Sequence, residues 1–260
     1  MRVWKFLIAL LLLPACVALT RAAWDAGRTG LGGDLPPAEG RTVSPGPSVG
    51  TASGPDRVGP RPVLAFGAGY ALWLAVFVLL PQPMRTYVLG HELTHALWAL
   101  LMGARVSGLR VRKTGGRVMT TKTNWAIALA PYFFPFYALL FIALFLVAHW
   151  IWDLEAYKNA LWFLVGLGWS FHVTFTLMML LSTRQPDVQA HGALFSAVVI
   201  YSMNLLVMML AALALSPSLH VAAVAGITGR HFLAAYGWTL DNLVALWQHL
   251  WVFASRHPGG

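Results

Sequence analysis

The sequence is poor in charge. Only 10% of its 260 residues are Asp, Glu, Lys or Arg, where a soluble domain carries about 25%. Acids are scarcer still: 9 against 18 bases, for a formal net charge of +9. Cysteine is nearly missing, and the single Cys16 excludes an internal disulfide and any metal site built from several thiolates. With 58% hydrophobic residues and a mean hydropathy of +0.66, the chain is neither disordered nor an ordinary soluble enzyme. An integral membrane protein remains. Its apolar runs far exceed the roughly 9–11 residues of a barrel strand, so the helical form is expected. The bases lie between apolar runs, where they set topology against an anionic membrane face; nucleic acid is not expected as a partner.

The expected fold is an all-α polytopic membrane protein of about five to six transmembrane helices. Residues 1–20 have two early bases followed by an apolar run, the build of a secretory signal or a first transmembrane helix. Leu13-Pro14-Ala15-Cys16 loosely resembles a lipoprotein cleavage site, a further option for this segment. Residues 21–62 are rich in Gly and Pro without apolar periodicity and read as a disordered linker. Spans follow at 63–80, 86–102, 125–148, 159–181 and 192–215, with Pro131 and Pro135 kinking the third and Pro217 ending the last. Residues 63–215 thus form a membrane-embedded core, and 216–260 a tail whose segment from Thr239 to Ala254 reads as an interfacial amphipathic helix. Between the second and third spans, 106–112 and 117–121 flank Thr114-Gly115-Gly116 as a small β-hairpin. Its bases, Arg105, Arg110, Arg112, Lys113, Arg117 and Lys122, place it on the cytoplasmic side. The signal-like start points the opposite way for the first segment, whose topology stays open.

The chemistry-bearing motif is His91-Glu92-Leu93-Thr94-His95, inside the second span. On a helix, residues i and i+4 share a face, so both histidines reach one ion while Glu92 acts on a metal-bound water without ligating. An ionisable cluster in a membrane helix costs about 2.5–3.5 kcal/mol per charge at the centre and is functional by default. Catalytic zinc takes three protein ligands. The third is open among Asp187, at the entry to the last span, and the histidines His172 and His191.

The motif, followed by Ala-Leu and a Gly-containing hairpin, resembles that of the site-2 protease family of intramembrane zinc metalloproteases. The likeness covers about residues 63–215 and implies Asp187, after Pro186, as the third zinc ligand beside His91 and His95, with Glu92 as general base. It implies zinc as cofactor and a membrane-protein or peptide substrate, locally unwound and held by strand addition to the hairpin. His172 and Asn204 are further candidates for orienting a ligand or stabilising an oxyanion. Two other readings compete: a noncatalytic metal-binding regulator or scaffold of the same fold, and a small transporter using His172 and His191. Arg in excess of Lys and the signal-like start fit a bacterial inner membrane.

Overall fold

The computed structural model describes residues 2–30, 61–113, 115–182, 184–215 and 219–256, which are mostly helical. In order they form α1 (Arg2–Gly30), α2 (Arg61–Leu79), α3 (Met84–Leu101), β1 (Val106–Arg112), β2 (Gly115–Thr120), α4 (Trp125–Leu129), α5 (Phe136–Ile151), α6 (Lys158–Ser182), α7 (Pro186–His191), α8 (Ala193–Leu215) and α9 (Val221–Arg256). They divide into two compact units, residues 1–6 with 58–207 and residues 7–57 with 208–260.

Among the described residues, four stretches are long and apolar enough to cross a membrane: Val3–Arg28, Pro62–Leu79, Glu155–Ser182 and Ala193–Ala214. A fifth is broken, with Trp125–Tyr132 and Phe136–Ile151 meeting at 85°. With it the count is five, the lower end of the five to six expected. The missing one is α3, which has the length at 18 residues but not the hydropathy, because Arg85, His91, Glu92 and His95 sit on it. The third span is more than kinked. Pro131 lies in a 3-10 turn, Ala130–Tyr132, and Pro135 sits just before α5, so the helix stops and restarts in a new direction. Each proline withholds an N–H from the helical ladder and crowds the carbonyl four residues earlier.

In the first unit α2 and α6 pack backbone against backbone. A Cβ on Gly69 would lie 1.9 Å from the Phe163 carbonyl oxygen, and one on Gly166 would lie 2.0 Å from that of Phe66. Such contact is the means by which small residues join helices in lipid, where apolar burial gives little drive. Further along the two helices, Trp73, Phe171 and Phe175 form an aromatic core with Tyr87 and Val88 of α3. Tyr87 stacks on Phe175 with ring centroids 4.8 Å apart. Helix α3 is thereby fixed among apolar neighbours with Glu92 and Thr94 buried.

The hairpin forms where expected, except that Gly115 and Gly116 belong to β2 and not to the turn. Its strands pair antiparallel from Val106 opposite Thr120 to Arg112 opposite Gly115, with a bulge at Gly108, whose φ of 76° favours glycine. Thr114 at its turn lies outside the described residues. Val111 packs against the aromatic core, and β2 runs alongside α3.

In the second unit the helical part of the first segment does not stop at residue 20 but continues to Gly30, unbroken at Pro14 and Cys16. The rest of the expected linker, residues 31–60, lies outside the described residues. Helix α9 begins at Val221, well before the expected Thr239. Two bonds join α1 to α9 here: His231 Nε2 lies 2.8 Å from Asp25 Oδ2, and the Tyr236 hydroxyl donates to the Leu11 carbonyl at 2.9 Å. The exposed Leu243, Leu246, Trp247, Leu250 and Trp251 form one apolar face of α9, with Asp241, Asn242, Gln248 and His249 opposite, as an amphipathic helix requires.

The α2–α6 contact is testable. Gly166→Ala should destabilise the protein by about 1–3 kcal/mol through overpacking, whereas Gly229→Ala, with open space around its Cβ position, should not. Thermal melts of the purified protein in micelles compare the two; equal melting temperatures would refute the packing.

Candidate metal centre

The motif helix α3 places His91 and His95 one turn apart, with rings edge to face and centroids 4.8 Å apart. Their Nε2 atoms are 3.2 Å apart. Asp187, in the first turn of α7, brings Oδ2 to 3.7 Å from His91 Nε2 and 3.6 Å from His95 Nε2. Among the described residues this is the one cluster of three or more His, Cys, Asp or Glu side chains close enough to share an ion. Ligands at zinc bond lengths of about 2.0–2.1 Å in a tetrahedron stand roughly 3.3–3.4 Å apart. The observed triangle is close to that, and two imidazoles with one carboxylate are a donor set suited to catalytic zinc. The residues present therefore fit the metal.

Each of the three side chains is held from behind. His95 Nδ1 lies 2.8 Å from the Ile127 carbonyl oxygen. A carbonyl only accepts, so the ring donates Nδ1–H there and Nε2 keeps its lone pair toward the gap. The local sequence explains why that carbonyl is available. Asn124 caps α4 by accepting from the Ile127 amide, and in a continuing helix the Ile127 carbonyl would accept from residue 131. That residue is proline and has no N–H. The His95 ring takes the vacant place.

His91 Nδ1 is 3.3 Å from the Tyr87 hydroxyl, which can donate or accept and so holds the ring without fixing its tautomer. Asp187 Oδ2 accepts from the Tyr132 hydroxyl at 3.1 Å. Burial works against ionisation of Asp187, but the adjoining His91 and His95 outweigh it and hold the carboxyl below its ordinary range. It is therefore a carboxylate, the ligating form, at neutral pH.

Glu92 is buried and faces the same cavity, of about 770 Å³, which His91, His95, Asp187, Tyr87 and Val118 also line. Strand β2 crosses directly over it. Val118 of that strand lines the cavity beside it, and a Cβ on Gly116 would lie 2.4 Å from Glu92 Cγ. Only glycine at 116 lets the strand approach so closely.

The other two ligand candidates lie outside the cluster. His172 is buried on α6, with its Nε2 unpartnered. His191 ends α7 with Nδ1 2.5 Å from Lys5 Nζ, and the side chain it leaves to the site is Asp187. Tyr87, Tyr132 and the Ile127 carbonyl were not foreseen as site groups. Of these, the carbonyl alone has a local signal, the proline four residues on.

No known family model, curated protein or solved structure matches the chain.

Restoring the missing donor tests the role of Pro131. Pro131→Ala supplies an N–H to the Ile127 carbonyl, competes with His95 and should weaken zinc binding about 10-fold, within the range for loss of a ligand's hydrogen-bond partner. Competition with a chromogenic chelator measures it; unchanged affinity would contradict the assignment.

Proposed function

We propose that this chain is an intramembrane zinc endopeptidase, similar in its site to the site-2 proteases, that hydrolyses a peptide bond in or near a transmembrane segment. We assign it to a bacterial inner membrane. The observation that carries the reading is the meeting of His91, His95 and Asp187 at one point, with Glu92 buried in the same cavity. In a chain with so few acids, two of them converge on that point.

His91, His95 and Asp187 would hold the zinc. Zinc there supplies a Lewis acid that polarises a carbonyl and makes water a nucleophile near neutral pH. Glu92 takes the proton of the attacking water and returns it to the leaving nitrogen, the paired duty of a general acid–base group. Strand β2, close over Glu92, confines its side chain for this. The hydrogen bond of His95 to the Ile127 carbonyl keeps that ring in the tautomer that presents Nε2.

A transmembrane helix hides its peptide bonds, so the substrate must unwind before it enters the cavity. The two-stranded sheet pairs β1 with β2 alone and so offers a strand edge for an extended segment, whose backbone groups it can satisfy where water cannot.

Glu92→Gln should retain zinc while cleavage of a transmembrane-helix substrate falls about 10³-fold, within the range of a lost general base. Gly116→Ala should also lower cleavage at unchanged zinc content, since the new Cβ collides with Glu92. Gel assays with purified protein in micelles read both, alongside metal analysis. Full activity in Glu92→Gln would remove the proposed base. Zinc retention by a wild type that cuts no helix offered would favour the noncatalytic metal-binding reading.

A further inference from the structure

Tyr132 is fully buried, yet it carries a hydroxyl. That hydroxyl lies 3.1 Å from Asp187 Oδ2 and 3.3 Å from Gln185 Oε1, on either side of Pro186. The carboxylate oxygen it reaches is the one nearest both imidazoles. The ring also stands edge-on to His91, with centroids 5.4 Å apart at 83°. One side chain thus touches two of the three metal-binding residues.

The turn that carries it is anchored separately. The Tyr132 carbonyl cannot accept from residue 135, a proline, and the amide of Phe136 is bonded to the Phe134 carbonyl instead. Asn204 of α8 fills the gap, with Nδ2 donating to the Tyr132 carbonyl at 2.9 Å and to the Ile200 carbonyl at 2.8 Å. A buried carbonyl without a donor is costly, so this contact fixes the turn rather than merely touching it.

We propose that Tyr132, braced by Asn204, is the positioning residue for the third metal ligand: it aims Asp187 Oδ2 at His91 and His95. The proposal rests on the zinc reading of the site. Asp187 comes from a helix of six residues after a proline, a mount with little rigidity of its own. Without the Tyr132 hydroxyl the carboxylate loses its aim, and the metal loses a ligand in the correct orientation. Asn204 acts one step further back, through the turn.

The full chain in micelles tests this, with zinc affinity from chelator competition and the visible spectrum of the Co²⁺-loaded protein as readouts. Tyr132→Phe keeps the ring and should weaken zinc binding about 10- to 100-fold, the range for a lost partner of a metal ligand. It should also shift the Co²⁺ bands, which report ligand geometry and which a general loss of packing would not move while the melting temperature holds. Asn204→Leu should weaken zinc less and shift the bands the same way; it decides the matter if Tyr132→Phe fails to fold. Asp187→Ala should lose more affinity than either. Wild-type affinity and spectrum in Tyr132→Phe, with binding lost in Asp187→Ala, would overturn the positioning role alone. A wild type that binds no zinc, or an Asp187→Ala that binds as tightly as the parent, would overturn the zinc reading and the proposal with it.

Discussion

Two carbonyls that a helix cannot satisfy organise the site. Pro131 leaves the Ile127 carbonyl without its donor, and the break at Pro135 turns the Phe136 amide to the Phe134 carbonyl and away from that of Tyr132. Each is occupied by a polar side chain from another helix, His95 from α3 and Asn204 from α8. A continuous third span would have closed both carbonyls within itself. His95 would then have no fixed tautomer, and the turn bearing Tyr132 would have no tie to α8. The break is thus the source of two of the directed contacts around the metal-binding residues. Broken helices at membrane depth are tolerated where neighbours meet the freed backbone groups, and here those neighbours are the site itself.

The same economy governs charge. Helix α3 carries the motif and is too polar to count among the helices apolar enough to cross a membrane, although its length suffices. It is accommodated by being enclosed. Aromatic residues of α2 and α6 cover one side, and the hairpin lies along another. Each of the three metal-binding residues has a stated partner, Tyr87 for His91, the Ile127 carbonyl for His95 and Tyr132 for Asp187, and strand β2 lies close over Glu92. Close helix contact through Gly69 and Gly166 frames this arrangement, since it fixes where Phe171 and Phe175 stand against Tyr87.

Much of the site was legible because it is local. The i, i+4 spacing puts His91 and His95 on one helix face whatever surrounds them, and a scarcity of acids makes Asp187 conspicuous. The hairpin was legible from its glycines and β-branched residues, although Gly115 and Gly116 prove to belong to β2 and not to the turn. What was not legible depends on side chains meeting across the chain. Tyr132 and Asp187 are distant in sequence, and so are Asn204 and Tyr132; no periodicity links them. Pro131 and Pro135 announced a kink, but an 85° break, and the side chains that claim the freed carbonyls, follow from packing. Helix α1 passed its expected end because Arg21 to Gly30 still includes Ala and Trp among its polar residues, and a helix already begun extends at small cost.

The central claim is that one zinc ion is held by two imidazoles and a carboxylate. X-ray absorption at the zinc edge, on full-length protein purified in micelles without added metal, addresses it directly. The account predicts one zinc per chain, with about two imidazole nitrogens at roughly 2.0–2.1 Å, oxygen ligands at roughly 2.0–2.2 Å and no sulfur. A chain free of zinc after purification and reloading, or a shell containing sulfur or a third imidazole, would contradict it.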